Sequence, residues 1–219
     1  MTSTKPTPHR HSRLRERLCD LLFLAVLVLA AYLRTSGLDW GNFEHQHPDE
    51  NFMTSVTEGI QAVDGLSAYF DTATSSLNPM NRGFGFYVYG NLPIILTRTV
   101  ADWTEAVNIR LLGRQMSGLM DIGTIVMLYF IVARVYKRPV ALLAAAFSAL
   151  IVMQIQQSHF YTSDNFATFF MFVALYFAVL IATRPWKMRR EPPAVEEAGS
   201  FSEKEIEQAS RRRLVSSLR

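Results

Sequence analysis

The residues His45-Gln46-His47-Pro48-Asp49-Glu50 are the densest set of groups in the chain able to do chemistry: two adjacent carboxylates beside two imidazoles, flanked by Trp40 and Phe43. A carboxylate within hydrogen-bond reach of an attacking hydroxyl takes its proton, which makes the acid pair a candidate general base and helper. Two plainer accounts compete. Asp49 stands where a residue caps the helix that follows, with Glu50 favourable in its first turn. His45 and His47 with a carboxylate are ligands of the right type for a metal ion, in a pattern that does not select one.

A second acid, Asp164, closes the polar stretch Gln156-Gln157-Ser158-His159-Phe160-Tyr161-Thr162-Ser163-Asp164-Asn165. It suits the N-cap of the helix after it, and His159 suits a polar–apolar boundary. A third, Asp121, lies inside an apolar run, where a charge costs at least about 2.5–3.5 kcal/mol and so takes a partner or a wet cavity. Arg114, Ser117 and Asp121 fall on one helix face. An internal ion pair is the simpler reading of that face; a basic residue holding a lipid phosphate is the other.

The elements that position these groups are apolar. The chain has 219 residues, 49% of them hydrophobic, with one cysteine, which excludes disorder, a disulfide scaffold and a zinc finger. Four stretches, Leu18 to Leu33, Gln115 to Ala133, Val140 to Gln157 and Phe166 to Thr183, carry most of the apolar residues and no consistently polar face. Each is close to the bilayer-crossing length of about 17–25 residues. The expectation is an all-α membrane protein with four transmembrane helices. The first stretch, ending near Val28-Leu29-Ala30, also fits a cleaved signal peptide.

Charge sets the orientation. Residues 1–17 carry five basic residues and one acid, and Arg134, Lys137, Arg138, Arg184, Lys187, Arg189 and Arg190 follow the second and fourth spans. The loop 35–113 reverses the balance, with nine acids against three basic residues. The positive-inside rule then predicts a multi-pass protein of the cell membrane, both termini cytoplasmic, with loop 35–113 and the turn 159–165 facing outward together. This topology accounts for a pI near 9.1. No basic stripe with interleaved aromatics points to nucleic acid.

Within the loop, Phe52, Val56, Ile60 and Val63 give Glu50 to Val63 a helical period, and Leu92, Ile95, Leu96, Val100 and Trp103 do the same for Asn91 to Trp103, with Asn91 as N-cap and Pro93 in the first turn. Both are expected to lie as amphipathic helices on the outer membrane surface. Asp71 to Arg82, rich in Ser, Thr, Asn and Pro, reads as a mobile loop before the aromatic run Phe84 to Tyr89. Residues 184–219 form a polar cytoplasmic tail whose Ser202-to-Glu205 capping box starts a short helix.

The order of these features resembles the N-terminal part of the GT-C membrane glycosyltransferases, within them the protein O-mannosyltransferase and aminoarabinose transferase group of lipid-carrier-dependent enzymes. The similar stretches are His47-Pro48-Asp49-Glu50, Phe86 to Pro93, Gly113 to Asp121 and Ser158 to Asn165, over residues 18–183. The resemblance implies sugar transfer from a polyprenyl-phosphate donor, with inversion, at the outer membrane face. It implies Asp49 as catalytic base with Glu50 in support, Asp164, His159, Tyr87 and Tyr89 lining the substrate, and Arg114 stabilising the departing phosphate. It implies no cofactor and no metal; the residues leave a divalent ion open.

Members of that group continue for several further spans, whereas this chain stops after four. The expectation is a truncated or split member that works with a second polypeptide or its missing C-terminal part, in contact with membrane lipid. The alternative is a non-catalytic membrane subunit or scaffold binding lipid or a partner protein.

Overall fold

A computed structural model describes residues 9–41 and 46–184, with side chains from residue 14 onward. Among these residues the structure is all-helical. Helix α1 spans His9–Thr35, α2 Pro48–Gly59, α3 Leu66–Phe70, α4 Asn91–Thr104, α5 Ile109–Val135, α6 Arg138–Leu150, α7 Val152–Ser158 and α8 Ser163–Ala182, with a 3-10 turn at Pro79–Arg82. Three segments, Leu14–Thr35, Ile109–Val135 and Ser163–Ala182, are long and apolar enough to cross a membrane. The shortest, at 20 residues, reaches about 30 Å at 1.5 Å per residue, the thickness of the hydrocarbon core.

The remaining apolar rod differs from the sequence expectation. Val140 to Gln157 reads as one continuous span, but α6 and α7 meet at a 60° bend, with Ile151 extended between them. Neither proline nor glycine marks the break. Its cause is Arg34 at the end of α1, whose guanidinium donates to the carbonyls of Ala149 (2.9 Å) and Ser148 (3.2 Å). In a straight helix those carbonyls would accept from residues 153 and 152. The arginine takes the place of those amides, and the chain turns.

Helix α5 is the hub: α1, α6, α7 and α8 pack on it, as do α2 and α4. Ala141, Ala145 and Ala149 form a fully buried small-residue stripe on α6, in one cluster with Ala30, Ile125 and Tyr129. Small side chains let helix backbones approach closely, the means of packing available where the surroundings are as apolar as the helices. Outward, α8 exposes Met171, Leu175, Phe177 and Ile181, and α1 exposes Leu21, Leu24 and Val28, a surface made for lipid tails. A second cluster, with Met53, Val56, Ile60, Ile94, Met116 and Phe166, joins α2 and α4 to α5 and α8.

Several local expectations change at the helix starts. His47 occupies the N-cap of α2, with Pro48 in the first turn, so Asp49 is inside the helix and does not cap it. Gly90, at φ 81, holds the N-cap of α4 in place of Asn91; its positive φ is one that a side chain would strain. Thr162 precedes α8, and Asp164 falls in its first turn without capping it. The segment 71–82, read as mobile, is tied down by hydrogen bonds. Asn81 Nδ2 donates to Thr72 O (3.1 Å) and Ser75 O (3.0 Å), and Arg82 Nε to Gly59 O (2.8 Å). The Ser, Thr and Asn content that suggested mobility supplies the donors. The expected helix in the tail lies outside the described residues.

Candidate active site

Residues 49 and 50 are consecutive on α2, so their side chains leave the axis about 100° apart and enter different surroundings. Glu50 falls on the face of Met53 and Thr57 and is buried, 1% exposed. Arg114, 3% exposed, meets it with a two-pronged fork: Nε to Oε1 at 2.7 Å and Nη2 to Oε2 at 2.8 Å. The backbone N–H of Tyr161 donates to the same Oε1 at 2.9 Å. Arg114 Nη1 donates to Leu38 O (2.6 Å) and Trp40 O (3.3 Å), and its charged carbon stands 5.7 Å from the centre of the Trp40 ring. A bidentate, fully hydrogen-bonded pair is the form in which two charges stay buried at acceptable cost. The end of α1, α2, α5 and the α7–α8 turn are joined at this point.

Asp49 faces the other way. Half-buried, it accepts a 2.8 Å hydrogen bond from the Tyr89 hydroxyl through Oδ1. The Tyr89 phenol is raised above its ordinary 10.0, first by that hydrogen bond, then by loss of water and by the charges of Asp49 and Asp164. Both carboxylates therefore act on the same tyrosine. Asp164 is exposed and accepts from Gln157 Nε2 at 3.0 Å, which also reaches Thr162 Oγ1 at 3.0 Å. Tyr87 packs on Phe52 (6.0 Å) and Tyr89 (6.1 Å), and its hydroxyl donates to Gly90 O at 2.8 Å. Burial, with Tyr161 and Tyr89 nearby, pushes that phenol upward.

His159 ties the α7–α8 turn to the segment after α1. Its Nδ1 lies 2.7 Å from Ile155 O and its Nε2 2.9 Å from Ser36 O, while its carbonyl accepts from Trp40 Nε1 at 3.3 Å. Of the two histidines considered as ligands, His45 lies outside the described residues, and His47 packs its ring 4.9 Å from that of Phe160. No group of three His, Cys, Asp or Glu side chains suited to a metal occurs among the described residues.

The face Arg114, Ser117, Asp121 exists, and all three residues are buried on α5. Both of its charges are in buried ion pairs, but not with each other. Seven residues separate Arg114 and Asp121 by about 10 Å along the axis, and each finds its partner on another helix: Arg114 takes Glu50, and Asp121 takes Arg34 Nε at 2.5 Å. Sequence reasoning missed Arg34. The available signal was a single basic residue at the end of one span and a single acid inside another. Tyr161 was likewise passed over, although it lies fully buried, with its hydroxyl 3.0 Å from Thr57 Oγ1.

The surface beside Asp49, Tyr89 and Asp164, here called the rim, thus offers a carboxylate held by a phenol, with a second carboxylate sharing that phenol's field, next to a buried ion pair. A carboxylate so held accepts a proton from an approaching hydroxyl without moving. Comparison with protein-family models, characterised proteins and solved structures finds no match to this chain.

Proposed function

We propose that this chain is a glycosyltransferase of the polyprenyl-phosphate-dependent kind, or the catalytic N-terminal portion of one. The observation that carries the reading is the division of the acid pair: Glu50 is spent on Arg114 and Tyr161, and Asp49 is left at the rim, oriented by Tyr89. An acceptor hydroxyl gives its proton to Asp49 as its oxygen attacks the anomeric carbon from the side opposite the phosphate. The carbon–oxygen bond to the phosphate breaks, its electron pair leaves with the phosphate oxygen, and the sugar is transferred with inversion. Asp164 and Gln157 orient hydroxyls at the same rim, with Tyr87 and Tyr89 forming its aromatic side. Glu50, Arg114 and His159 act as positioning residues that fix α2 against α5 and the α7–α8 turn. The phosphate-stabilising role expected of Arg114 drops out of this reading, because its fork is already in use.

In the same reading the bent pair α6–α7 is the third of four spans. The protein lies in the cell membrane with both termini cytoplasmic, and α2, α4 and the α7–α8 turn are outside. The lipid donor reaches the rim from the bilayer.

The test supplies labelled polyprenyl-phosphate sugar to native membranes containing the wild-type chain or Asp49→Asn. A loss of about 10²-fold or more is expected, the lower end of what a positioned general base contributes. Undiminished transfer by the variant would remove Asp49 from the mechanism and favour a non-catalytic membrane subunit. Cysteine-accessibility labelling checks the topology: residues 49 and 164 must react from the same, non-cytoplasmic side.

A further inference from the structure

We infer that the loop between α2 and α4 carries a binding site for a neutral saccharide. A cavity of about 310 Å³ opens there, bounded by the end of α3, the turns after it and the first turns of α4. That volume is at the lower end for ligand pockets, about 300–1,000 Å³, and suits a single sugar ring.

Four features of the lining select the ligand. Tyr69 and Phe70 stand edge to face, with centroids 5.0 Å apart, and Phe70 leaves 72% of its surface in the open. An exposed aromatic face beside polar groups is the surface onto which the C–H side of a pyranose stacks, through weak C–H contacts with the ring. Ser75 lines the cavity, is 5% exposed, and its hydroxyl has no hydrogen-bond partner among the described residues. A buried hydroxyl left unpaired costs free energy; its oxygen lies just behind the cavity wall, so a ligand hydroxyl recovers that cost once the serine side chain turns toward it. Asn91, exposed in the first turn of α4, presents an amide able both to donate and to accept. Leu77 and Ile95 complete an apolar floor, and among the described residues no charged side chain lines the cavity, so phosphates and ionised peptides find no counter-charge there. The Asn78 amide is already committed, to Thr72 O and Met80 N, and holds the wall.

The inference stands apart from the transferase reading, because binding is measured without turnover. The probes are methyl glycosides of glucose, galactose and mannose and free N-acetylglucosamine, followed by saturation-transfer NMR with the full chain in nanodiscs, since glycoside detergents would compete. Wild type is expected to bind at least one of them in the millimolar range. Phe70→Ala weakens that binding by about tenfold or more and Asn91→Ala by several-fold; both residues are exposed, so the fold is retained. Phe70→Trp preserves binding, and Phe86→Ala, at an equally exposed aromatic outside the cavity, leaves it unchanged. Asp49→Asn binds as wild type; undiminished transfer by that variant with intact saccharide binding would fault the catalytic reading alone, and lost transfer with no binding by wild type would fault this inference alone. Absence of binding by wild type to every probe would overturn it. So would equal binding by Phe70→Ala and wild type, or an effect of Phe70→Ala on vesicle association alone, which would make the aromatic pair a membrane anchor.

Discussion

Removing the Arg114 side chain isolates the charge of Glu50 in the interior. Glu50 is 1% exposed and receives three hydrogen bonds, two from the guanidinium and one from the Tyr161 amide. Arg114→Ala takes away two of the three and the whole counter-charge. Breaking a buried pair from one side costs about 3–5 kcal/mol, because the remaining charge is desolvated without compensation. At about 2–4 °C per kcal/mol for a chain of this size, the melting midpoint falls by about 6–20 °C. The assay is thermal unfolding in detergent, read by fluorescence-detected size exclusion, for wild type, Arg114→Ala and the double variant Glu50→Gln/Arg114→Met. The double variant removes both charges and keeps an acceptor for the Tyr161 amide, so it recovers most of the loss. It does not recover all of it, since the carbonyls of Leu38 and Trp40 lose their donor, at about 1 kcal/mol each. A shift below about 2 °C for Arg114→Ala, or a double variant as unstable as the single one, would refute the claim that this ion pair holds the site together.

Three further outcomes follow from the same geometry. The Tyr161 phenol is pushed up to about 12 by burial, against the hydrogen bond it shares with Thr57, which lowers it. Stability is therefore full below pH 10, where the phenol is neutral folded or unfolded, and is lost as pH rises from about 10 to 12, by about 2–3 kcal/mol; Tyr161→Phe flattens that part of an alkaline melting series by about one proton. Arg34→Ala strands Asp121 and frees the Ser148 and Ala149 carbonyls, so its midpoint falls as far as that of Arg114→Ala, while Arg34→Lys, which keeps the charge and loses the fork, falls less. A Cβ at Gly113 would enter the Tyr161 ring at its stem, which cannot swing aside, so Gly113→Ala costs about 1–3 kcal/mol in the same melting assay, whereas Gly85→Ala, with open space around it, costs little.

The three long apolar helices were legible because their signal is local: about twenty apolar residues in a row suffice, whatever surrounds them. The break between α6 and α7 was not, since its cause stands more than a hundred residues earlier in the chain, at Arg34. Helix starts failed for a related reason. Asp49, Asn91 and Asp164 are all good capping types, yet His47, Gly90 and Thr162 hold the cap positions, each without a side-chain cap hydrogen bond, so side-chain capping does not mark where α2, α4 and α8 begin. The hydrogen bonds within loop 71–82 were not legible either, because composition reports which polar groups are present, not whether they find each other.

The site shows the same limit more sharply. That Asp49 and Glu50 were the chemical residues was readable from their types and their place beside a span. Which of them stays available was not: the apolar period of the sequence, Phe52, Val56, Ile60 and Val63, continues back to position 49, whereas the buried face of α2 also takes in Met53 and Thr57 and with them Glu50. Nor does the sequence mark the partner that makes this burial tolerable, because Arg114 lies 64 residues further on. Once that pair forms, α2 has a single orientation: a rotation that brought Glu50 to the rim would leave Arg114 uncompensated and bury Asp49 in its place. The ion pair thereby fixes, through the angle of about 100° between consecutive helical residues, which carboxylate faces Tyr89. Exchanging the two acids, Asp49→Glu with Glu50→Asp, keeps the charges but shortens the buried arm by one methylene. The fork then closes only if α2 shifts toward α5, and transfer activity should fall further than either single exchange alone explains. Additive single effects would show instead that the two carboxylates act independently, and that the buried pair does not set the position of the rim.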